Sequence, residues 1–282
     1  MRLITRREMI VGGTAVLAAS VSLRSAHAAD SSWDRIQSTG TLRLGVIPNR
    51  PPYFWLENGK WVGFSTQMGE DLAEALAKMM NKPIKIEFVE TNFTPIILDL
   101  QADNLDIFFG LSYSEQREKA VNLVGPLYAL PEVALAAKSK TLGDQWDAYN
   151  KPDVRVSVVM GTTDEQAVRR LLPKSQVRAM KGTPEAILDV QSGNGDAWIT
   201  TVLVGLAALK ESKTFDAMHV LQPVFMQPSH GGTRRDGDGK FAAYLKEWAP
   251  RYRESGRAKE VIFTAMRKYG LDVDRLPPGV TF

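Results

Sequence analysis

Arg117 stands where the apolar run Ile107-Phe108-Phe109 stops at Gly110 and gives way to Ser112 and Ser114. Hydroxyls, a glycine backbone and a planar guanidinium in one short turn suit the capture of an anion, because the guanidinium fork matches a carboxylate bidentately. The competing reading is a solvated turn in which Arg117 pairs with Glu115 or Glu118. A second stretch of the same character, Gly161-Thr162-Thr163-Asp164, follows the apolar run Val154 to Val159 and opens a helix. Free N–H groups at a helix start attract anions, and plain capping is compatible with that role. Arg50, in the Pro-rich turn Pro48 to Pro52 just before Tyr53, adds another cation.

Catalytic alternatives are poorly served. The chain has no cysteine and three histidines, so thiolate chemistry, disulfides and zinc spacing are excluded, and no P-loop or nucleophile elbow occurs. Asp236-Gly237-Asp238 with Glu247 has the outline of a calcium loop. Lys240 and Phe241, however, stand where a ligand and a glycine belong, so the stretch reads as a turn and helix cap. Neither a metal nor a cofactor is expected.

The first residues read as an address. Thr5-Arg6-Arg7, an apolar run from Met9 to Leu23, Arg24 and Ala26-His27-Ala28 form a twin-arginine signal peptide over residues 1–28. The run is too short and weak for a membrane span. Its removal takes away four basic residues and one acid, leaving equal numbers of each charge. The remaining chain therefore has no basic excess for nucleic acid or a membrane surface, and a monomeric periplasmic protein is expected.

The positioning elements follow in order. Ser31 to Ser38 predicts a helix ended by Gly40, then a strand Leu42 to Ile47 and a hairpin tipped by Asn58-Gly59. Ser65 or Thr66 should cap the next helix, and Thr94 with Pro95 should supply N-cap and N1 of another. The segment ILDLQADNLD (residues 97–106) repeats as ILDVQSGNGD (187–196), each preceded by Thr-Pro. Two copies of helix, tight turn and buried strand imply two α/β lobes, each a mostly parallel sheet. Ligands of such sheets bind beyond the carboxyl ends of the strands. Those ends are Pro48 to Tyr53, Gly110 to Arg117, Gly161 to Asp164 and Trp198 to Thr201. The extended apolar runs Leu130 to Ala137 and Leu221 to Met226 are the expected crossings. Lobe 1 would then be residues 29–131 with 227–282, lobe 2 residues 132–226, and the two crossings a hinge.

These segments resemble, in order, those of the periplasmic solute-binding proteins, family 3, that serve polar amino-acid ABC importers. The resemblance rests on WDRIQSTGTLRLGV, the PPY and GF around the hairpin, the S-E-Q-R turn, GPLY, VSVVMGTTDEQ and QSGNGDAW. It implies the two-lobed periplasmic-binding-protein type II fold. It also implies that Arg117 holds a ligand α-carboxylate with Gly110 and Ser112, that the Thr163 amide caps it, and that the turn Arg50 to Tyr53 is a side wall. The end of the Trp198 strand completes the cleft. Two positions depart from the pattern: Thr201 stands where an aspartate commonly takes the ligand ammonium, and Arg50 where an aromatic ring often packs. Losing one partner of a buried ion pair costs ~3–5 kcal/mol. Either another acid substitutes, with Asp164, Glu57 and Asp196 available, or the ligand is an amine-free organic acid or dicarboxylate. Arg50 could equally pair with Glu57. The expected function is capture of a small carboxylate for delivery to a permease. The alternative is a periplasmic cyclohexadienyl dehydratase, with Asp164 or Glu57 as proton donor.

Overall fold

A computed structural model describes residues 31–282 except 216, 278, 279, 281 and 282. The expected signal peptide lies outside the described residues. None of the described helices is long and apolar enough to cross a membrane.

Helix α1 (Ser32–Thr39) begins where the Ser31 hydroxyl accepts the Asp34 N–H and ends at Gly40, whose left-handed φ of 68° closes the last turn. Strand β1 (Thr41–Val46) leads to the hairpin β2 (Trp55–Glu57) and β3 (Lys60–Val62), turned by Asn58 and Gly59 at positive φ. Helix α2 (Phe64–Met80) has Gly63, not a hydroxyl side chain, at its N-cap. Ser65 and Thr66 are instead buried in its first turn. A Cβ on Gly63 would lie 2.0 Å from the Tyr53 carbonyl oxygen, so close backbone approach fixes this helix start. Strand β4 (Lys85–Glu90) follows, then α3 (Ile96–Gln101), which begins after Pro95 rather than at Thr94.

The first half continues with β5 (Phe108–Ser112), α4 (Glu115–Ala120) and β6 (Asn122–Ala136). The second half contains α5 (Trp146–Tyr149), β7 (Arg155–Val159), α6 (Thr163–Leu171), β8 (Gln176–Met180), α7 (Thr183–Gln191), β9 (Ala197–Thr201) and α8 (Val202–Glu211). The chain then forms β10 (His219–Val220), β11 (Met226–Thr233), α9 (Lys240–Glu254), α10 (Arg257–Lys268) and a short 3-10 turn, Val273–Arg275.

The sequence repeat is structural. β1 pairs in parallel with β4 and, through a bridge from Leu44 to Ile107, meets the entry to β5. β7 likewise pairs in parallel with β8 and with β9. In each copy the last Asp of the repeat holds the arginine of the first strand. Asp106 accepts the Arg43 N–H at 2.6 Å and its guanidinium at 2.8 Å. Asp196 accepts the Arg155 N–H at 2.8 Å and its guanidinium at 3.0 and 2.7 Å. Asp196 therefore belongs to the turn before its strand and is not a spare acid for a ligand.

The expectation of two separate, mostly parallel sheets needs correction. β5, β11, β6, β9, β7 and β8 follow one another in a seven-stranded mixed sheet, with β10 paired to β6. The cause is the length of β6: 15 residues, which at ~3.3 Å each extend about 50 Å. Its first part, Asn122 to Pro131, pairs antiparallel with β11, and Glu132 to Ala136 pairs antiparallel with β9. The other expected crossing, Leu221 to Met226, is mostly irregular and reaches β11 only at Met226. One apolar cluster centres on Leu44, Phe108, Leu111 and Trp248, and another on Val156, Val168, Ile199 and Tyr149.

Candidate functional site

Arg117 is carried on α4, whose start is set by the Ser114 hydroxyl accepting the Arg117 N–H at 3.3 Å. The side chain is 4% exposed. Neither neighbouring glutamate takes it: Glu115 pairs with Lys119, and Glu118 accepts from the Tyr113 hydroxyl at 2.9 Å. Its guanidinium instead donates to the Ser112 carbonyl at 2.8 Å and to the Gly161 carbonyl at 3.0 Å. Among the described residues no acid forms an ion pair with it. Burial, only partly offset by Asp164, lowers its pKa to about 10, so it is still charged at neutral pH.

The Gly161 carbonyl that receives Arg117 belongs to the loop before α6. Gly161 has φ 77°, and a Cβ there would come within 3.0 Å of the Phe93 and Thr94 backbone. The α6 start is a capping arrangement. The Thr162 hydroxyl accepts the Glu165 N–H at 3.2 Å, and the Glu165 carboxylate accepts the Gly161 N–H at 2.8 Å. Thr163 and Asp164, buried in the first turn, present the amides that an α-helix leaves without an internal partner. Thr163 also lines a groove of about 560 Å³ with Ser114, Gln116 and Arg170.

Gly110 and Ser112 close the other side. The β5–β11 register shifts between His230 and Gly231, leaving Gly110 as the extra residue of a bulge at φ 112°. That bulge admits the Tyr53 ring, 3.4 Å from where a Cβ would stand. Tyr53 packs on Phe64 with ring centres 4.3 Å apart. Its hydroxyl faces Thr201 and Tyr128, and burial holds its pKa above the ordinary value.

Arg50 does not pair with Glu57, which binds Lys268 at 2.7 Å on a half-exposed surface. The Arg50 guanidinium lies 4.5 Å from the Phe93 ring centre and 5.4 Å from that of Tyr53, buried to 6% exposure. One nitrogen reaches the Thr183 hydroxyl at 3.4 Å. A groove of about 300 Å³, lined by Arg50, Phe93, Lys181 and Thr183, opens beside it.

Asp164 is the acid of the cluster anticipated from sequence. Burial raises its pKa, and the charges of Arg50 and Arg117 pull it back. Glu132 is the acid that sequence reasoning missed. It lies wholly buried in β6, and Gln227 Nε2 donates to its Oε1 at 2.8 Å. Burial first, and then the Asp164 charge, raise its pKa well above the carboxylate range. A lone glutamate in the otherwise apolar run LPEVALAA was the available signal. Trp198 is fully buried and sits near Phe215, with ring centres 6.4 Å apart, so it is a core residue that backs the site. Thr201 ends β9 with its hydroxyl buried beside that of Tyr53. The Thr200 hydroxyl and the Glu132 carboxyl lie beside Asp164, and the Arg50 Nε is buried without a hydrogen-bond partner. A buried polar cluster of this kind is what a polar ligand would complete.

Residues 42–220 match the family model for bacterial extracellular solute-binding proteins, family 3. The chain is 25% identical over 235 residues to the L-cystine-binding protein TcyJ of Escherichia coli K12, covering 82% of this chain and 85% of that one. It is 24% identical over 248 residues to cyclohexadienyl dehydratase of Pseudomonas aeruginosa, covering 86% and 88%. Among solved structures it is similar to the ancestral amino acid-binding protein AncCDT-1, a precursor of cyclohexadienyl dehydratase. That similarity has a TM-score of 0.71 and 30% identity over 85% of this chain and 99% of that one. The chain belongs to family 3 of the bacterial extracellular solute-binding proteins.

Proposed function

We propose that the protein captures a small carboxylate-bearing ligand, an amino acid first among the candidates, and delivers it to an ABC importer in the inner membrane. Residues 29–131 with 227–282 would form one lobe and residues 132–226 the other, closing over the cluster around Arg117. Export by the twin-arginine route to the periplasm and a monomeric state belong to the same reading. The observation that carries it is Arg117: a buried guanidinium whose partners are the carbonyls of Ser112 and Gly161 rather than an acid. A ligand carboxylate is its natural partner. Similarity to cystine- and amino-acid-binding proteins supports the ligand class. Because Arg117 bonds residues on both sides of the cluster, a ligand that adds contacts in this state alone would favour closure. Thermal melting of the purified protein, unfolded and refolded to strip carried-over ligand, with amino acids and organic acids tests the reading. Failure of every carboxylate to raise the melting temperature defeats it.

Glu132 gives the dehydratase alternative an observation of its own. A wholly buried acid with a raised pKa can hold a proton at neutral pH and donate it to a leaving hydroxyl. The similarity to cyclohexadienyl dehydratase points the same way. Formation of phenylpyruvate from prephenate by the pure protein, abolished in Glu132→Gln, would establish that reading in place of capture without chemistry.

A further inference from the structure

The acid expected to meet a ligand ammonium is missing at Thr201, and the strand pairing shows where one stands instead. Glu132 on β6 lies directly opposite Thr201 on β9 in an antiparallel pair. Such partners carry their Cβ atoms about 4.5–5.5 Å apart on the same face. A carboxylate at Glu132 therefore serves the space that an aspartate at position 201 would serve, from one strand over. Glutamate's extra methylene covers part of the added distance.

The backbone beneath it is fixed. The Glu132 N–H donates to the Phe225 carbonyl at 3.0 Å, and its own carbonyl accepts the Leu221 N–H at 3.2 Å. Gln227 holds Oε1, and the carboxyl lies within hydrogen-bonding reach of the Asp164 carboxyl. The Thr201 hydroxyl opposite lies beside that of Tyr53. Two buried carboxyls so close cannot both ionise cheaply, and a cation that visits the site relieves that cost.

Charge balance names that visitor. Two arginines and two acids share the cluster: Arg50, Arg117, Asp164 and Glu132. Asp164 feels both arginines and so offsets part of the positive charge. What remains is a guanidinium bound to carbonyls at one place and the facing carboxyls of Glu132 and Asp164 at another. An anion alone would satisfy Arg117 and leave Glu132 as it is. A zwitterion satisfies both.

We propose that Glu132 receives the cationic group of the ligand in place of the acid absent at position 201, so that the site selects α-amino acids over amine-free carboxylates. This rests on the reading of the cluster as a carboxylate-capture site. The selectivity has its origin in the hinge-side strand β6 rather than in the end of β9. Arg50, between Phe93 and Tyr53, is then a wall that limits the ligand side chain, and Asp164 is its counter-charge.

The test uses calorimetric titration of the full protein with matched pairs: L-glutamate and 2-oxoglutarate, L-phenylalanine and phenylpyruvate, L-lysine and 6-aminohexanoate. The wild type should bind at least one amino acid about a hundredfold more tightly than its partner lacking the α-amine. Glu132→Gln should lose about a hundredfold or more for that amino acid while holding the partner that lacks the α-amine within about threefold. Because a variant at a buried site could misfold, the double variant Glu132→Thr with Thr201→Asp returns the acid to the opposite strand. It should restore the amino-acid preference, with circular dichroism and melting confirming the fold of both variants. Equal losses for both members of a pair in Glu132→Gln, or wild-type binding of carboxylates without preference for the amine, overturns the assignment and leaves carboxylate capture standing. No binding of any carboxylate overturns both.

Discussion

Glu132 and Thr201 face each other across the β6–β9 pair. On the reading proposed above, the acid that receives the ligand ammonium stands on β6 and not at the end of β9.

The burial of Glu132 has a stability cost that depends on pH. The folded protein holds the Glu132 carboxyl above its ordinary pKa, chiefly by burial and next by the Asp164 charge. Ionisation is therefore harder in the folded state than in the unfolded one. The penalty is absent below the unfolded pKa near 4.5 and grows as pH rises toward the folded value. Glu132→Gln should melt higher than wild type in the absence of ligand, by a margin that widens from pH 4.5 upward. A margin that is flat with pH would remove the strain from Glu132. Thr201→Asp should act oppositely by placing a third acid beside Glu132 and Asp164, costing ~1–3 kcal/mol at neutral pH in a denaturant titration.

Arg117→Ala should weaken any bound carboxylate by ~2–5 kcal/mol, the usual cost of removing one side of a buried charged pair. Arg117→Lys keeps the charge but cannot reach the Ser112 carbonyl, the Gly161 carbonyl and a carboxylate with one planar fork. It should recover only part of the affinity. Titration of both variants with the same ligand checks this, and full affinity in Arg117→Ala would take Arg117 out of the site.

Gly161→Ala tests the close approach of the two sides. The substitution brings a left-handed residue with a side chain, at φ 77°, within 3.0 Å of the Phe93 and Thr94 backbone. A cost of ~1–3 kcal/mol is expected. Ligand affinity should fall along with thermal stability, because the Gly161 carbonyl is also an Arg117 acceptor. Unchanged melting and binding would show that this contact is not used.

Asp196→Asn tests the structural role of the repeated aspartate. Burial alone would raise its pKa, but hydrogen bonds from Arg155 and Lys140 outweigh that and hold it at about 2, below the ordinary 3.8. The stabilisation is present above the unfolded pKa and is lost as pH falls through the folded value. With Arg155 and Lys140 partly exposed, it is worth roughly 1–2 kcal/mol. The variant should be less stable than wild type at pH 7 and should converge with it as pH approaches 2. Denaturant titrations across that range would reveal a constant gap if the ion pairs contribute nothing.

Much of this was legible in the sequence because it was written locally. Ser31 and Gly40 mark the ends of one helix by their own backbone preferences, and Asn58-Gly59 can hardly be anything but a hairpin tip. The repeat gave the parallel strand cores, and the turn before Arg117 announced the guanidinium that the structure buries against the Ser112 and Gly161 carbonyls. What escaped was non-local. Gly63 starts its helix because of the Tyr53 backbone, not because of a neighbouring hydroxyl. Glu132 looked like one polar residue in an apolar strand until pairing put it opposite Thr201. Glu57 was removed from the site by Lys268, more than two hundred residues away in sequence. The single mixed sheet likewise depends on which partners β6 takes along its length.

The most direct measurement is thermal melting of the refolded wild type and Arg117→Ala with an amino-acid panel. At a hundredfold excess over its dissociation constant, a true ligand adds ~2.7 kcal/mol, or ~5–10 °C for a protein of this size. At least one α-amino acid should raise the wild-type melting temperature by that amount and raise that of Arg117→Ala by no more than about a third as much. If the amino acids leave the wild type unmoved, or raise both proteins equally, capture of an amino acid by Arg117 is contradicted.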